Sequence, residues 1–96
     1  MLFRMKPITV EAVRIADAMQ HSRVSWSKLP GWVRKAYEAG KIIFASNAIS
    51  IATPQGRLVG LRNDWLIRGI EGELYPCSAE VFAQTYEPVE AEASEV

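Results

Sequence analysis

The N-terminal hydrophobic pattern has period two and predicts a first strand over residues 4–15. Apolar side chains occupy alternate positions from Ile8 to Ala12, and the parity then shifts at Val13. A β-bulge near Ala12 would place both apolar sets on one face of a sheet. Pro7 has no N–H to donate to a ladder, so it belongs at the start of the strand or at a sheet edge. Residues 16–25 have no clean period and predict a loop or a short helix.

The strongest helical pattern lies at residues 27–40. Pro30 suits the first turn, where a missing N–H costs nothing, and Gly40 suits a left-handed C-terminal cap. The apolar residues recur at helical spacing and form one stripe, made of Leu29, Trp32, Val33, Ala36 and Tyr37. This pattern predicts a helix that packs on the core through the stripe.

From residue 41 onward the period returns to two and predicts antiparallel strands joined by short turns. The strands are expected at 42–45, 49–52, 57–61, 65–70 and 73–75, with turns at 46–47, 53–56, 63–64 and 71–72. Pro76 should end the last strand. Ser78 is then a good N-cap for a short helix over 79–85, in which Phe82 and Tyr86 pair at i, i+4.

Together these elements predict an α+β fold, a curled antiparallel sheet of about six strands with one main amphipathic helix and a short C-terminal helix.

The 96 residues make one domain, and a hydrophobic content of 49% is ample for a core. The single Cys cannot form an intramolecular disulfide, which excludes a disulfide-stapled secreted domain and fits a cytoplasmic location. No apolar run approaches the roughly 20 residues of a membrane helix, so we expect no membrane partner.

The formal net charge of zero divides unevenly along the chain. Eleven basic and seven acidic side chains give residues 1–86 a net charge of +4, and four glutamates give residues 87–96 a net charge of −4. The last ten residues contain no aromatic and only two valines. They cannot bury enough apolar surface to offset the entropy of ordering. We therefore expect a single α+β domain over 1–86 and a disordered acidic tail over 87–96.

Cys77 is the one nucleophile that the pattern places in a suggestive position, between a predicted strand and a helix N-terminus. Such a position can lower the pKa of a thiol. Catalysis would also need a base, and His21, the only histidine, lies in the least patterned stretch. A small buried hydrophobic side chain is the favoured interpretation of Cys77, and we expect no enzyme activity.

Metal and phosphate chemistry find little support in the sequence. One Cys and one His cannot build a structural zinc site, and no acidic cluster with ligand spacing accompanies them. The stretch 69–72 lacks the Lys-Ser/Thr and the following helix of a phosphate loop. Glu71 and Glu73 are expected to face solvent rather than act as an acid/base pair. We therefore expect no metal and no cofactor.

Residues 63–77 read N-D-W-L-I-R-G-I-E-G-E-L-Y-P-C and are followed by Val81-Phe82 and Thr85-Tyr86-Glu87. This segment resembles a family of small phage and prophage proteins whose C-terminal half typically reads G-D-Y-I/L-I/V-K/R-G-V-x-G-E-x-Y-P-C-x-P-D-I-F-x-x-T-Y-E. The opening R-M-K-P-I with E-A-V, and L-P-G-W-V at the helix start, are similar to other stretches of the same family. Asn63 stands where the family has Gly, and Trp65 where it has Tyr.

The resemblance implies a phage-encoded accessory protein in the cytoplasm of an infected bacterial host, and it implies no particular activity. We expect such a protein to act by binding a host or phage protein, or by self-association through an exposed sheet edge at Pro7 or Ile42. The cations are scattered and no nucleic-acid-binding motif is present, which argues against nucleic acid.

A nucleotide-type anionic ligand is the alternative. Basic and aromatic side chains on one sheet face could clamp a phosphate and stack a base. The residues that would form this site are Arg57, Arg62, Arg68, Trp65 and Tyr75. Under this hypothesis the protein sequesters the ligand and so blunts host defence.

Overall fold

A computed structural model describes residues 1–4 and 6–89 of the chain. Within them six strands and three α-helices follow one another. Their bounds are β1 Glu11–Arg14, α1 Ile15–Val24, a 3₁₀ turn Trp26–Lys28, α2 Gly31–Glu38, β2 Ile42–Phe44, β3 Ala48–Thr53, β4 Gly56–Leu61, β5 Trp65–Arg68, β6 Leu74–Cys77 and α3 Ala79–Thr85. Most of the predicted tail, from residue 90 onward, lies outside the described residues.

The strands form two antiparallel three-stranded sheets, ordered β1-β5-β6 and β2-β3-β4. The α+β class and the six strands agree with the prediction, whereas the single curled sheet was wrong. The meander is interrupted after β4, where the Asp64 carboxylate accepts the Leu61 N–H at 2.9 Å and the Asp64 N–H donates to the Leu61 carbonyl at 2.9 Å. This turn ends β4 and allows β5 to pair with β1 instead.

The core lies between the two sheets and the first two helices. β6 contacts β3 and β4, α1 contacts β3 and β4, and α2 contacts β2. β4, β6 and the start of α1 come close together at Gly60, where an added Cβ would lie 2.5 Å from Ile15 Cδ1 and 3.3 Å from Pro76 Cβ. The buried side chains of this core are Ile15, Ala18, Met19, Leu29, Val33, Ala36, Ile42, Ile49, Ile51, Leu66 and Leu74. Ile67 is also buried but does not belong to this cluster. Apolar burial of this kind supplies most of the stabilising free energy.

The first strand is shorter than predicted, and a helix takes the place of its end. The parity shift near Ala12 is not a bulge followed by more strand, because the chain becomes helical at Ile15. The first N–H groups of α1 find partners in the 62–64 turn. Ile15 donates to the Asp64 carbonyl and Ala16 to the Arg62 carbonyl, each at 3.0 Å. Because these partners are far away in sequence, local pattern could not reveal where the helix begins.

The main helix begins later and ends where it was predicted to. Pro30 disfavours helical angles at Leu29, so α2 starts at Gly31 and a separate 3₁₀ turn precedes it. At the other end Gly40 has a φ of +76°. Its N–H donates to the Tyr37 carbonyl, and the Lys41 N–H donates to the Ala36 carbonyl. These two bonds make a Schellman motif, which confirms the role predicted for Gly40.

Pro76 does not end the last strand, as was predicted, but lies inside β6. It is paired with Leu66 in the register of β5 and β6. The hydrogen bond from the Gly69 N–H to the Glu73 carbonyl sets the alternation, so the pair at Pro76 is one that exchanges no ladder bonds. Since β6 is an edge strand, the missing N–H of Pro76 faces away from β5 and no ladder bond is lost.

The short C-terminal helix has the predicted cap, since the Ser78 hydroxyl accepts the Val81 N–H at 3.2 Å. Ser78→Ala leaves that N–H without its acceptor, and we expect a loss of about 0.5–2 kcal/mol in the free energy of unfolding, measured by urea denaturation. Ser78→Asp retains an acceptor and adds a favourable charge at the helix N-terminus, so it should restore most of the loss. Equal stability of the Ala and Asp variants would contradict the cap.

Candidate functional site

A groove of about 1160 Å³ opens on the face of the β1-β5-β6 sheet that is turned away from the main core. One wall is the N-terminal segment 6–12, and the other is the end of α3 with residues 85–89. The side chains along its floor and rim include Trp32, Trp65, Tyr75, Phe82, Thr85 and Tyr86. We call this feature the aromatic groove.

Strand register and helical spacing together build the aromatic lining. Trp65 pairs with Cys77 and Ile67 with Tyr75, so all four side chains project from the same face of the sheet. Phe82 stacks on Trp65 with 4.1 Å between ring centroids and 6° between planes. One helical turn later, the Tyr86 ring lies 5.1 Å from that of Phe82. The pairing predicted for Phe82 and Tyr86 is confirmed, and both rings line the groove.

Tyr75 is held in this layer by a hydrogen bond to Tyr86, with 3.3 Å between the two hydroxyl oxygens. Burial, followed by this hydrogen bond and the charges nearby, raises the pKa of Tyr75 from 10.0 to about 12. At neutral pH the Tyr75 hydroxyl is therefore a neutral donor and acceptor in the groove.

The raised pKa of Tyr75 predicts a loss of stability in strong alkali. Because the folded pKa lies above the unfolded one, the stabilising contribution is complete below pH 10 and is lost as the pH rises toward about 12. Tyr75→Phe should remove this part of the pH dependence, measured as the unfolding midpoint against pH. Near-ultraviolet absorbance of tyrosinate provides a second readout, in which the parent protein should show an ionisation step near pH 12 that Tyr75→Phe lacks. The same step in Tyr75→Phe would contradict the assignment.

Carboxylates outnumber cations along the described part of the groove. Lys6 is the basic residue of its lining, against Glu11, Glu73 and Glu87. Glu11 forms an ion pair of 3.1 Å with Arg68 across the β1–β5 ladder, whereas the Glu73 carboxylate accepts the Glu71 N–H at 3.0 Å. With Glu11 paired to Arg68, the lining keeps the carboxylates of Glu73 and Glu87 against Lys6, a small negative surplus that favours a cationic group over an anionic one.

The structure does not gather the five residues of the predicted nucleotide site on one face. Trp65 and Tyr75 share the aromatic groove, but the three arginines lie apart. Arg57 is in β4 of the other sheet, where its Nε donates to Ser50 Oγ at 2.6 Å. Arg62 lies in the turn after β4. Arg68 is on β5, but its side chain projects from the face opposite to that of Trp65, beside Glu11.

The Trp65 ring already has two neighbours. Besides Phe82, the Arg14 guanidinium carbon lies over it, 5.3 Å from the ring centroid. A base that stacked on Trp65 would have to displace one of them. Arg14 was missed by reasoning from the sequence, although the cross-strand register of β1 and β5 makes it the direct partner of Trp65.

Cys77 has none of the features that activate a thiol. Burial and then the charge of Asp64 raise its pKa, whereas a position before a helix N-terminus can lower the pKa of a thiol. Its Sγ lies 3.5 Å from the Ser78 carbonyl oxygen. His21 belongs to α1, and within the described chain no hydrogen bond joins it to Cys77. The described residues also contain no group of three metal-ligating side chains.

No family model, curated protein or solved structure matches this chain. Among the described helices, none is both long and apolar enough to cross a bilayer. The aromatic groove is a concave surface at which polar and aromatic groups converge, which is typical of a binding site.

Proposed function

We propose that this chain is a non-enzymatic binding protein whose aromatic groove takes an extended segment of a protein partner. The observation that carries the proposal is the combination of an aromatic floor with the Glu73 and Glu87 carboxylates in the lining. Aromatic side chains offer large apolar contact areas at low entropic cost, which suits a peptide. The glutamates favour a segment that carries Lys or Arg among its apolar residues.

The resemblance to small phage and prophage proteins supplies the biological setting of this proposal. Under it, the protein is an accessory factor encoded by a phage, and it acts in the cytoplasm of the infected bacterium on a host or phage protein. No chemical step is required of such a factor. A groove that recognises one partner segment is sufficient.

Binding of a nucleotide-type ligand is the second candidate, and the groove favours it less. A nucleotide needs cations at its phosphates, and the arginines predicted for that task lie outside the groove or are paired with other groups. A thermal-shift screen against mono-, di- and cyclic nucleotides separates the two candidates. We expect no shift of the unfolding midpoint, and a concentration-dependent shift would favour the nucleotide.

The groove itself is tested with synthetic peptides in which apolar residues alternate with Lys, compared with peptides in which Glu replaces Lys. We expect the Lys series to bind and the Glu series not to bind, measured by calorimetry and by the fluorescence of the groove tryptophans. Thr85→Arg adds bulk and positive charge at the rim and should weaken binding of the Lys series at least about tenfold.

Gln84→Arg is the control, because it introduces the same side chain on the same helix at a residue that does not line the groove. Its affinity for the peptides should stay within about threefold of the parent protein, a change of under 1 kcal/mol. Equal weakening by both variants would show that charge on α3, rather than occupation of the groove, controls binding. Failure of both peptide series to bind would remove the proposal.

A further inference from the structure

β4 is an edge strand whose outward backbone groups can be identified from the ladder. The even residues of β3 bond to the β2 side, as the bonds from Ala52 N–H to the Lys41 carbonyl and from Ala45 N–H to the Ala48 carbonyl show. The odd residues of β3 therefore bond to β4, where their partners are Gly56, Leu58 and Gly60. It follows that the N–H and C=O groups of Arg57, Val59 and Leu61 point away from the sheet.

The free part of this edge is short and has a defined end. The outward groups of Leu61 are both satisfied by Asp64, whose carboxylate accepts the N–H and whose own N–H donates to the carbonyl. The outward groups of Arg57 and Val59 have no hydrogen-bond partner among the described residues. Leu58 and Val59 are 41% and 62% exposed, so this stretch of the strand is open to solvent.

We infer that two copies of this chain pair through their β4 edges, antiparallel and about a two-fold axis at Leu58. In this register Arg57 lies opposite Val59 of the second copy, and Val59 opposite its Arg57. Each of these pairs exchanges two backbone hydrogen bonds, and all the free outward groups of both strands are satisfied. The product is a continuous six-stranded sheet, in the order β2-β3-β4-β4-β3-β2.

A second copy fits this edge better than a longer foreign strand does. In the same register, the position opposite Leu61 is Gln55 of the second copy. Gln55 lies in the β3–β4 turn, outside the strand, so no ladder hydrogen bond is needed there. The strand of the second copy therefore ends where Asp64 already satisfies the outward backbone groups of Leu61. A longer foreign strand would extend past this point and find no free N–H or C=O group at Leu61. Charge also agrees, because Arg57, the one charged residue of β4, faces Val59 rather than another Arg57. Its guanidinium is turned onto Ser50 and leaves the edge open.

The opposite edge of the same sheet, named from the sequence as an assembly surface at Ile42, is less suited to pairing. β2 has only three residues, and Ile42 is 1% exposed. The ring of Phe44 packs against Trp26 and Tyr37, with centroids 6.4 Å and 5.8 Å apart. The other edge named from the sequence, at Pro7, is not part of a strand.

Sedimentation equilibrium of the full chain over a range of concentrations tests the inference. We expect the parent protein to be a dimer at high concentration. Leu58→Lys and Leu58→Glu each place like charges across the axis, and each should raise the dimer dissociation constant at least about tenfold. An equimolar mixture of these two variants should dimerise again, because Lys then faces Glu.

Val59→Pro tests the backbone part of the pairing. It removes an outward N–H without touching the β3–β4 ladder, so the monomer should fold, as checked by circular dichroism, but no longer dimerise. Val59→Thr is its control, because it keeps the N–H and the β-branched shape, and it should remain a dimer. A monomeric parent protein, dimers unaffected by these changes, or a mixture of the Leu58 variants that stays monomeric would each overturn the inference. The monomeric variants should still bind peptides in the aromatic groove, so the two proposals fail separately.

Discussion

Ile51→Ala is expected to lower the free energy of unfolding by about 2–5 kcal/mol. Ile51 is fully buried in the central strand of its sheet, and its register partners are Ile42 on one side and Leu58 on the other. The substitution removes apolar contacts and leaves a cavity that three strands and α1 can close only in part. Since domains of this size are stable by about 5–15 kcal/mol, the loss is a large fraction of the total. Urea denaturation at one fixed protein concentration measures it.

Ile43→Ala is the matched control for this prediction. Ile43 is on the adjacent strand but points to the outer face of the sheet, where it is 51% exposed. The same change of side chain should cost less than about 1 kcal/mol there. Equal losses at the two positions would show that the inner face of this sheet is not the packed face.

Gly60→Ala is expected to destabilise the protein by about 1–3 kcal/mol, although Ala is the better residue for a strand. Its Cβ would lie 2.5 Å from Ile15 Cδ1, 3.3 Å from Pro76 Cβ and 3.7 Å from Ile49 Cγ1. Ile15 is fully buried, and the proline ring is rigid, so neither can move aside freely. The cost arises because β4, β6 and the start of α1 meet at this point.

Two further variants show whether crowding is the cause of that cost. Ile15→Val removes the Cδ1 atom that the new methyl would meet, so Gly60→Ala should cost less in that background. Gly31→Ala makes the same substitution where the nearest side-chain atom is Arg34 Nη2 at 3.6 Å, and it should stabilise α2 by up to about 1 kcal/mol. A loss at Gly60 that is unchanged by Ile15→Val would contradict the packing argument.

The turns and helix caps were the features that the sequence predicted best. Gly40 ends α2 with a positive φ, Ser78 caps α3, and the hairpin turns at 53–56 and 71–72 join the predicted strands. Each depends on hydrogen bonds and backbone angles within about five residues, so the local sequence contains the needed information. For residues 16–25 the sequence left a loop and a short helix open, and the structure has the helix Ile15–Val24. The pattern could not decide between them because the buried stripe is short and the first N–H groups of the helix are satisfied by the distant 62–64 turn.

The candidate site was predicted in part. Trp65 and Tyr75 were singled out, and they share the groove because β5 and β6 form a hairpin whose register follows from the turn at 71–72. The three arginines were grouped with them by closeness in sequence. They lie apart because the Asp64 turn separates β4 from β5, and because successive residues of a strand face opposite sides.

By itself, the sequence determined the α+β class, the six strands and most of the turns, since these follow from periodicity and from residues that favour particular backbone angles. Only the tertiary structure decided that the strands divide into two sheets, that Phe82 stacks on Trp65 in the aromatic groove, and that β4 is left as an edge strand. These outcomes depend on which distant segments pack together. Which segments pack together is determined by burial of the whole core, and no short stretch of sequence contains that information.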